Sequence, residues 1–366
     1  MKAAVLAIGM IGVSGVVSGL AQGGEIRLVP GGDEVRSVEN AGAVWYGSTP
    51  VLVGSTTRPA PTIFRSGQAP QILTQTGLSF GAVAIGGDAT GDVVGIAYSG
   101  LSQSSVWTSS AGITQLTPNG NGITTPITKV SSDGAISGTT NAGSGPRAYL
   151  WTGSNGLQVL ATQPTELFAF GTGVSGNGTV VGFGTDFTVN QDRAWRWTSG
   201  GGYVPLAGLS GSGGVKATGV SDDGSTVIGM QSQTGVTTPI VWRTGQVTAS
   251  SLNVLTAGTD VAVSDVSGDG SLIVGRSAGE GVVWASDGSV SSALTFFSAN
   301  GVDMSGWSAV YSIQDVSRDG LAFVGTGAWT NSAGGIETRS FIAVIPAPSV
   351  VGGLAMAAAA FGRRRR

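Results

Sequence analysis

The chain of 366 residues has no histidine and no cysteine. That removes Ser-His-Asp and Cys-His nucleophilic catalysis, the usual zinc sites and any disulfide framework. Carboxylate chemistry remains: calcium loops or a pair of acids for glycoside cleavage. Asp265-Val266-Ser267-Gly268-Asp269-Gly270 carries two acids in a short loop, but the twelfth position, where a calcium loop needs Glu, is Arg276. Turn formation is the better reading, because Asp-Gly supplies the backbone that a tight hairpin requires. Asp222-Asp223 and Arg318-Asp319 read the same way. Glu166, Asp186, Asp192, Glu280, Asp303 and Glu337 lie between strand segments, where they could share one rim. A solvated loop carboxylate is the ordinary state of each, and no pair of acids stands out. We therefore assign no catalytic residue, metal ligand or cofactor site, and expect no enzyme.

The net charge of −3 hides an asymmetry. Five of the 18 Lys and Arg, Lys2 and Arg363 to Arg366, sit in acid-free ends; the remaining 13 face 21 acids, a net of −8. Phosphate binding needs clustered cations, so nucleic acid is not expected as a partner. Only Lys129 and Lys216 are lysines of the body.

The elements that must position any site repeat seven times. Each unit has a short apolar strand, an Asp/Asn-Gly turn, a second strand ending in Gly and an aromatic-bearing third strand. The clearest copies are Val220 to Gly229 and Val266 to Gly275. Turn glycines fall at Gly42, Gly91, Gly134, Gly178, Gly224, Gly270 and Gly320, spaced 49, 43, 44, 46, 46 and 50 residues apart. The aromatic slot holds Phe64, Trp107, Trp151, Trp197, Trp242 and Trp284, and is degenerate near Phe341. A period of about 40–50 residues suits a four-stranded propeller blade. Recurrence at fixed phase marks the tryptophans as packing residues. The seventh unit lacks its last strand, while Glu25-Ile26-Arg27-Leu28-Val29-Pro30 stands alone before the first. The expected fold is an all-β, seven-bladed β-propeller over residues 22–345, closed by that N-terminal strand, which would protect the ring's edges.

Binding is expected where the repeat is interrupted, at 184–193 and 326–338. The second insert holds Trp329 beside Thr330-Asn331; covering the closing blade is preferred for Trp329 over stacking on a sugar. Gly200-Gly201-Gly202 sits in a hairpin with no helix after it, so it is no phosphate cradle.

The ends read as processing signals. Lys2, an apolar run from Ala3 to about Val17 and small residues before Ala21 form a signal peptide, residues 1–21, cut by signal peptidase after Ala21. Residues 346–366 hold Pro346-Ala347-Pro348, an apolar run from Val350 to Phe361, and Arg363, Arg364, Arg365 and Arg366. The run of 12 residues would make a helix of about 18 Å, a marginal transmembrane span. A terminal arginine block stays cytoplasmic, placing the body across the membrane.

This tail resembles the PEP-CTERM sorting signal of Gram-negative bacteria, with Ala347 where that motif has Glu. The resemblance implies an exosortase-type sorting enzyme as partner, transient membrane contact through the tail, and delivery to the cell surface or extracellular matrix. The repeats resemble the HAF family of bacterial extracellular repeats, whose units end in His-Ala-Phe-x-Trp. The matches are Arg147-Ala148-Tyr149-Leu150-Trp151 and Arg193-Ala194-Trp195-Arg196-Trp197, with Arg in place of His. That resemblance implies an extracellular propeller-like protein without an established activity. Sialidase-type propellers carry Ser-x-Asp-x-Gly-x-Thr-Trp boxes, which this chain lacks. The expectation is an exported structural or binding module, for polysaccharide or a surface protein. The alternative is a carbohydrate-active enzyme, a glycosidase or lyase, using rim carboxylates.

Overall fold

A computed structural model describes residues 24–347, apart from 30–32, 54, 74–80, 99–103, 117–123, 142–144, 162–167, 212 and 258–259. It is a seven-bladed β-propeller of seven four-stranded antiparallel sheets. The innermost strands of blades 1 to 7 are Glu34–Glu39, Ala82–Gly87, Thr124–Val130, Ala169–Val174, Gly214–Val220, Val261–Val266 and Trp307–Val316. The outermost strand of blade 7 is Glu25–Leu28, paired antiparallel with Ile336–Val344, Glu25 opposite Val344 and Leu28 opposite Phe341. The ring thus closes through the expected N-terminal strand, and the last blade has no open edge on that side.

Antiparallel strands fix two faces. Turns joining the first to the second and the third to the fourth strands lie on one face, here the turn face. Hairpins joining the second to the third strands lie on the other, the hairpin face. Both ends of the described chain leave from the turn face: Glu25 is level with Val344, and the Ile345 amide donates to the Leu321 carbonyl (2.8 Å).

The aromatic residues are interior. Trp242 and Trp284 are fully buried, and their indole N–H groups donate to the carbonyls of Ala207 (2.7 Å) and Asn253 (2.6 Å), tying each blade to the incoming connection. Blades 3, 4 and 7 depart from the expected phase. The fully buried ring comes two residues earlier there, as Tyr149, Trp195 and Phe341, and Ala343 fills the seventh slot. Each of these rings lies over a second-strand glycine, where a Cβ on Gly138, Gly182 or Gly325 would come within about 2.6 Å of it. Trp329 packs on Trp307 (5.4 Å between centroids) within the cluster that closes the ring, as preferred for it.

One element was not anticipated. Helix α1, Ala293–Ala299, follows blade 6, capped by Ser292, whose hydroxyl accepts from the Thr295 amide (3.3 Å). It drives Phe297 against Phe323 and Phe341 between blades 6 and 7. No helix of the described residues is long and apolar enough to cross a membrane. Residues 350–361, Ala21, Pro348 and Arg363 to Arg366 lie outside them. Pro346 and Ala347 follow the last strand on the turn face.

Candidate functional site: a sealed axis and an open face

The inner strands share one irregularity. In every blade the pairing of the first and second strands slips at the same place, just before Ser37, Gly86, Lys129, Gly173, Gly219, Asp265 and Asp315. A bulge puts two residues opposite one and re-aims the side chain beside it. The second-strand glycines accommodate it. A Cβ on Gly47, Gly182, Gly229, Gly275 or Gly325 would fall 1.7–2.5 Å from the carbonyl of Glu34, Phe170, Lys216, Ala262 or Ser312. The strand ending in Gly, read as a repeat signature, is thus the counterpart of the bulge.

The re-aimed residues meet on the axis. Lys129 of blade 3 reaches across the ring, its Nζ 2.9 Å from Asp265 Oδ1 of blade 6 and 2.9 Å from Asp315 Oδ1 of blade 7. Gly86, Gly173 and Gly219 occupy the same position in three other blades, where small residues leave it room. Asp315 Oδ2 also accepts the Val38 amide (2.8 Å), and Asp265 Oδ2 the Val316 amide (3.2 Å).

A second layer lies below, at the turns. Arg318 reaches Glu39 (2.9 Å) and Asp222 (3.0 Å), and Asp222 Oδ2 accepts from the Ser132 hydroxyl (2.6 Å). Neighbouring turns are joined through their second residues. Asn40 donates to the Ala89 carbonyl, the Ala89 amide to Ser132, Gly176 to Asp222, Asp223 to Gly268 and Gly268 to Arg318. The result is a hydrogen-bonded collar on the turn face. Its small members are required. A Cβ on Gly176 would sit 2.8 Å from the Ser132 hydroxyl oxygen, and one on Gly268 2.9 Å from the Arg318 carbonyl.

This corrects part of the turn reading. Asp223, Asp269 and Asp319 do build turns, each accepting from the serine two residues before it and from the backbone amide two residues after. Asp222, Asp265 and Arg318 do not: they fill the axis.

The plug holds four carboxylates against two cations. Burial pushes Glu39 up to about 8, although Arg318 opposes the shift. Burial likewise pushes Asp265 up to about 7, with Lys129 opposing and Asp315 adding to it. Burial works against the charge on Lys129, but Asp265 and Asp315 outweigh it and hold the ammonium ionised. Perturbed acids often mark active sites. Here the space beside them is about 20 Å³, room for about one water molecule and no substrate.

The expected rim carboxylates are elsewhere. Asp186 and Asp192 flank the blade 4 hairpin, Glu280 that of blade 6 and Glu337 that of blade 7, so these four share the hairpin face. They are spread over three blades. Asp303 lies in the connection to blade 7 and accepts the Ser305 amide (2.9 Å); Glu166 lies outside the described residues. Among the described residues no group of three or more acids could hold a metal ion.

The hairpin face is built differently from the sealed one. Above the plug, Arg36, Thr128, Ser264 and Gln314 are exposed on the inner strands. Hairpin tips bear apolar residues: Leu52 is 68% exposed, Phe187 49%, Val236 53% and Ile336 69%. Phe187 meets Phe168 edge-on (5.2 Å), and Lys216, paired with Asp192 (3.1 Å), lies over the Phe183 ring (4.5 Å). Both inserts flagged in the sequence are hairpins of this face.

The class defined is thus a seven-bladed β-propeller sealed at one end of its axis. Solved structures agree on the fold. An oligogalacturonate lyase from Vibrio parahaemolyticus is 13% identical with a TM-score of 0.54, the match covering 88% of this chain and 93% of that one. An oligogalacturonate lyase in complex with manganese is 12% identical at 0.51, covering 87% and 89%. At such identities the likeness concerns the fold alone. No family model and no curated protein matches the chain.

Proposed function

We propose that this chain is an exported, non-catalytic binding module that holds polysaccharide through its hairpin face, at the cell surface or in the extracellular matrix. The observation that carries the reading is the asymmetry of the two faces. Acids that converge, Glu39, Asp222, Asp265 and Asp315, are consumed by Lys129, Arg318 and backbone amides. The hairpin face instead offers exposed aromatic and aliphatic tips beside dispersed charges, and sugar recognition combines such surfaces with scattered polar groups. Export rests on the signal peptide ending at Ala21. Sorting by an exosortase-type enzyme rests on Pro346-Ala347-Pro348 and Arg363 to Arg366.

The test is a glycan array probed with residues 22–347, which contain the closing strand and all seven blades. Retention of one or more polysaccharides without cleavage is expected. Cleavage products would establish the enzyme reading instead. Absence of any retained glycan, with capture of a surface protein, would replace polysaccharide by protein as the ligand.

A further inference from the structure

We propose that the space between blades 4 and 5 is a binding site for a neutral, hydroxyl-rich sugar residue, contacted by Arg193, Gln231 and Asp186. The proposal rests on the polysaccharide reading and locates it. The cavity measures about 490 Å³, within the range of about 300–1,000 Å³ typical of small-ligand sites. Blade 4 contributes Arg193, Ala194 and Leu206, blade 5 contributes Val215 and Gln231, and Ala207, Gly208, Leu209, Gly211 and Gly213 of the connection between them also line it.

Gln231 is the decisive residue. It is 3% exposed, and its Oε1 accepts the Leu209 amide (2.6 Å), which fixes the orientation of the side-chain amide. Its Nε2 has no partner among the described residues, yet it is not enclosed by protein, and the residue lines the cavity. Because Gln231 lines the cavity, this N–H group is free to donate to a ligand that takes the place of water there. Glycines form part of the roof above it. Gly211 has φ +117°, a backbone that side chains rarely adopt, and a Cβ on Gly208 would fall 2.7 Å from Val215 Cγ2, so both positions favour glycine.

Two further groups open onto the same space. Arg193 Nε is 3.7 Å from Asp186 Oδ2, too far for a hydrogen bond, so neither group is used up by the other. Asp186 Oδ1 is occupied by the Thr188 amide (3.0 Å) and hydroxyl (2.6 Å). Two donors and one acceptor suit vicinal hydroxyls, each of which gives and accepts. The opposite charges of Arg193 and Asp186 cancel, which favours a neutral sugar over a uronate or a phosphate. Pro205, Leu206, Leu209 and Val215 offer apolar wall for its C–H face.

The experiment immobilises neutral gluco-, galacto-, manno- and xylo-oligosaccharides beside oligouronates. Binding of the unmodified chain is compared with Arg193→Ala, Gln231→Glu and, as a control on blade 6, Arg276→Ala. Gln231→Glu keeps the acceptor for Leu209 and replaces the free donor by an oxygen. The expected result is binding to a neutral series, weakened at least fivefold by either pocket variant and unchanged by Arg276→Ala. If Gln231→Glu does not fold, Arg193→Ala decides alone. A retained glycan indifferent to the pocket variants would overturn the site while leaving the polysaccharide reading intact. Preference for oligouronates would overturn the neutral class. No retained glycan at all would remove both.

Discussion

Replacing Lys129 by Met tests the plug directly. The substitution keeps an unbranched side chain of similar length but removes the charge shared by Asp265 and Asp315. Those carboxylates are only 8% and 6% exposed in their side chains and would be left facing one another. Removing one partner of a buried ion pair costs about 3–5 kcal/mol. At roughly 2–4 °C per kcal/mol for domains of 150–250 residues, and less for a larger ring, the melting temperature should fall by about 5–15 °C at pH 8. The loss must shrink near pH 4.5, because burial pushes Asp265 up to about 7 and it can then take up a proton. Lys129→Met combined with Asp265→Asn and Asp315→Asn should regain most of the stability, since no uncompensated charge remains. Thermal melts of the unmodified chain and the two variants at pH 4.5 and 8 provide the assay. A loss equal at both pH values would mean that Lys129 acts by packing, and the electrostatic account of the plug would be wrong.

Three other outcomes are expected. Glu39 and Asp265 have folded-state pKa values above those of free carboxylates, so the folded chain binds more protons than the unfolded one between about pH 4 and 8. Stability should therefore fall as pH rises through that window and level off above it; Glu39→Gln should flatten the upper part, and rising stability would refute the assignment. Gly229→Ala would place a Cβ 2.2 Å from the Lys216 carbonyl, and overpacking of this kind costs about 1–3 kcal/mol; an unchanged urea midpoint would show that the bulge yields. Deleting residues 1–29 would strip blade 7 of its outer strand and expose an edge; size-exclusion chromatography should show association, and an unaltered monomer would argue against closure by this strand.

Much of the ring was legible because its signals repeat. Turn glycines require left-handed backbone at a fixed phase, as at Gly224 (φ 73°) and Gly270 (φ 71°), and the orphan strand from Glu25 had one vacant partner. The plug was not read, although its trace exists. In the column two residues before the residue that opens the turn (Ser in five blades, Glu39 and Asp88 in two), small residues stand in four blades, and Lys129, Asp265 and Asp315 in the others. A lone lysine facing two aspartates within a column of small residues is an axis signal. Without the bulge, however, that column would be read as facing a neighbouring blade. Asp265 was placed in a turn because its neighbour Asp269 does build one. The blade 4–5 pocket was only half visible. Arg193 and Asp186 stood in a flagged insert, but Gln231 comes from the next repeat, and only the interblade packing brings it there.

The position of the chain ends adds a constraint on how the molecule is presented. Glu25 and Val344 are paired at the turn face, where the collar seals the axis. Where the C-terminal tail stays attached after sorting, the sealed face is held toward the attachment point, and the hairpin face, with Leu52, Phe187 and the blade 4–5 pocket, looks away from it. Because the chain has no cysteine, a single introduced thiol reports its own face. Leu52→Cys lies at a hairpin tip that is 68% exposed, and Ser154→Cys lies in an exposed turn of the opposite face. In the purified chain both should react equally with a bulky maleimide-polyethylene glycol. On intact cells Leu52→Cys should keep its rate while Ser154→Cys slows severalfold, since the reagent must enter the gap beneath the ring. Equal rates on cells would show that the ring is not held by its ends, and the assignment of the hairpin face as the outward, ligand-bearing one would then lose its support from the attachment geometry.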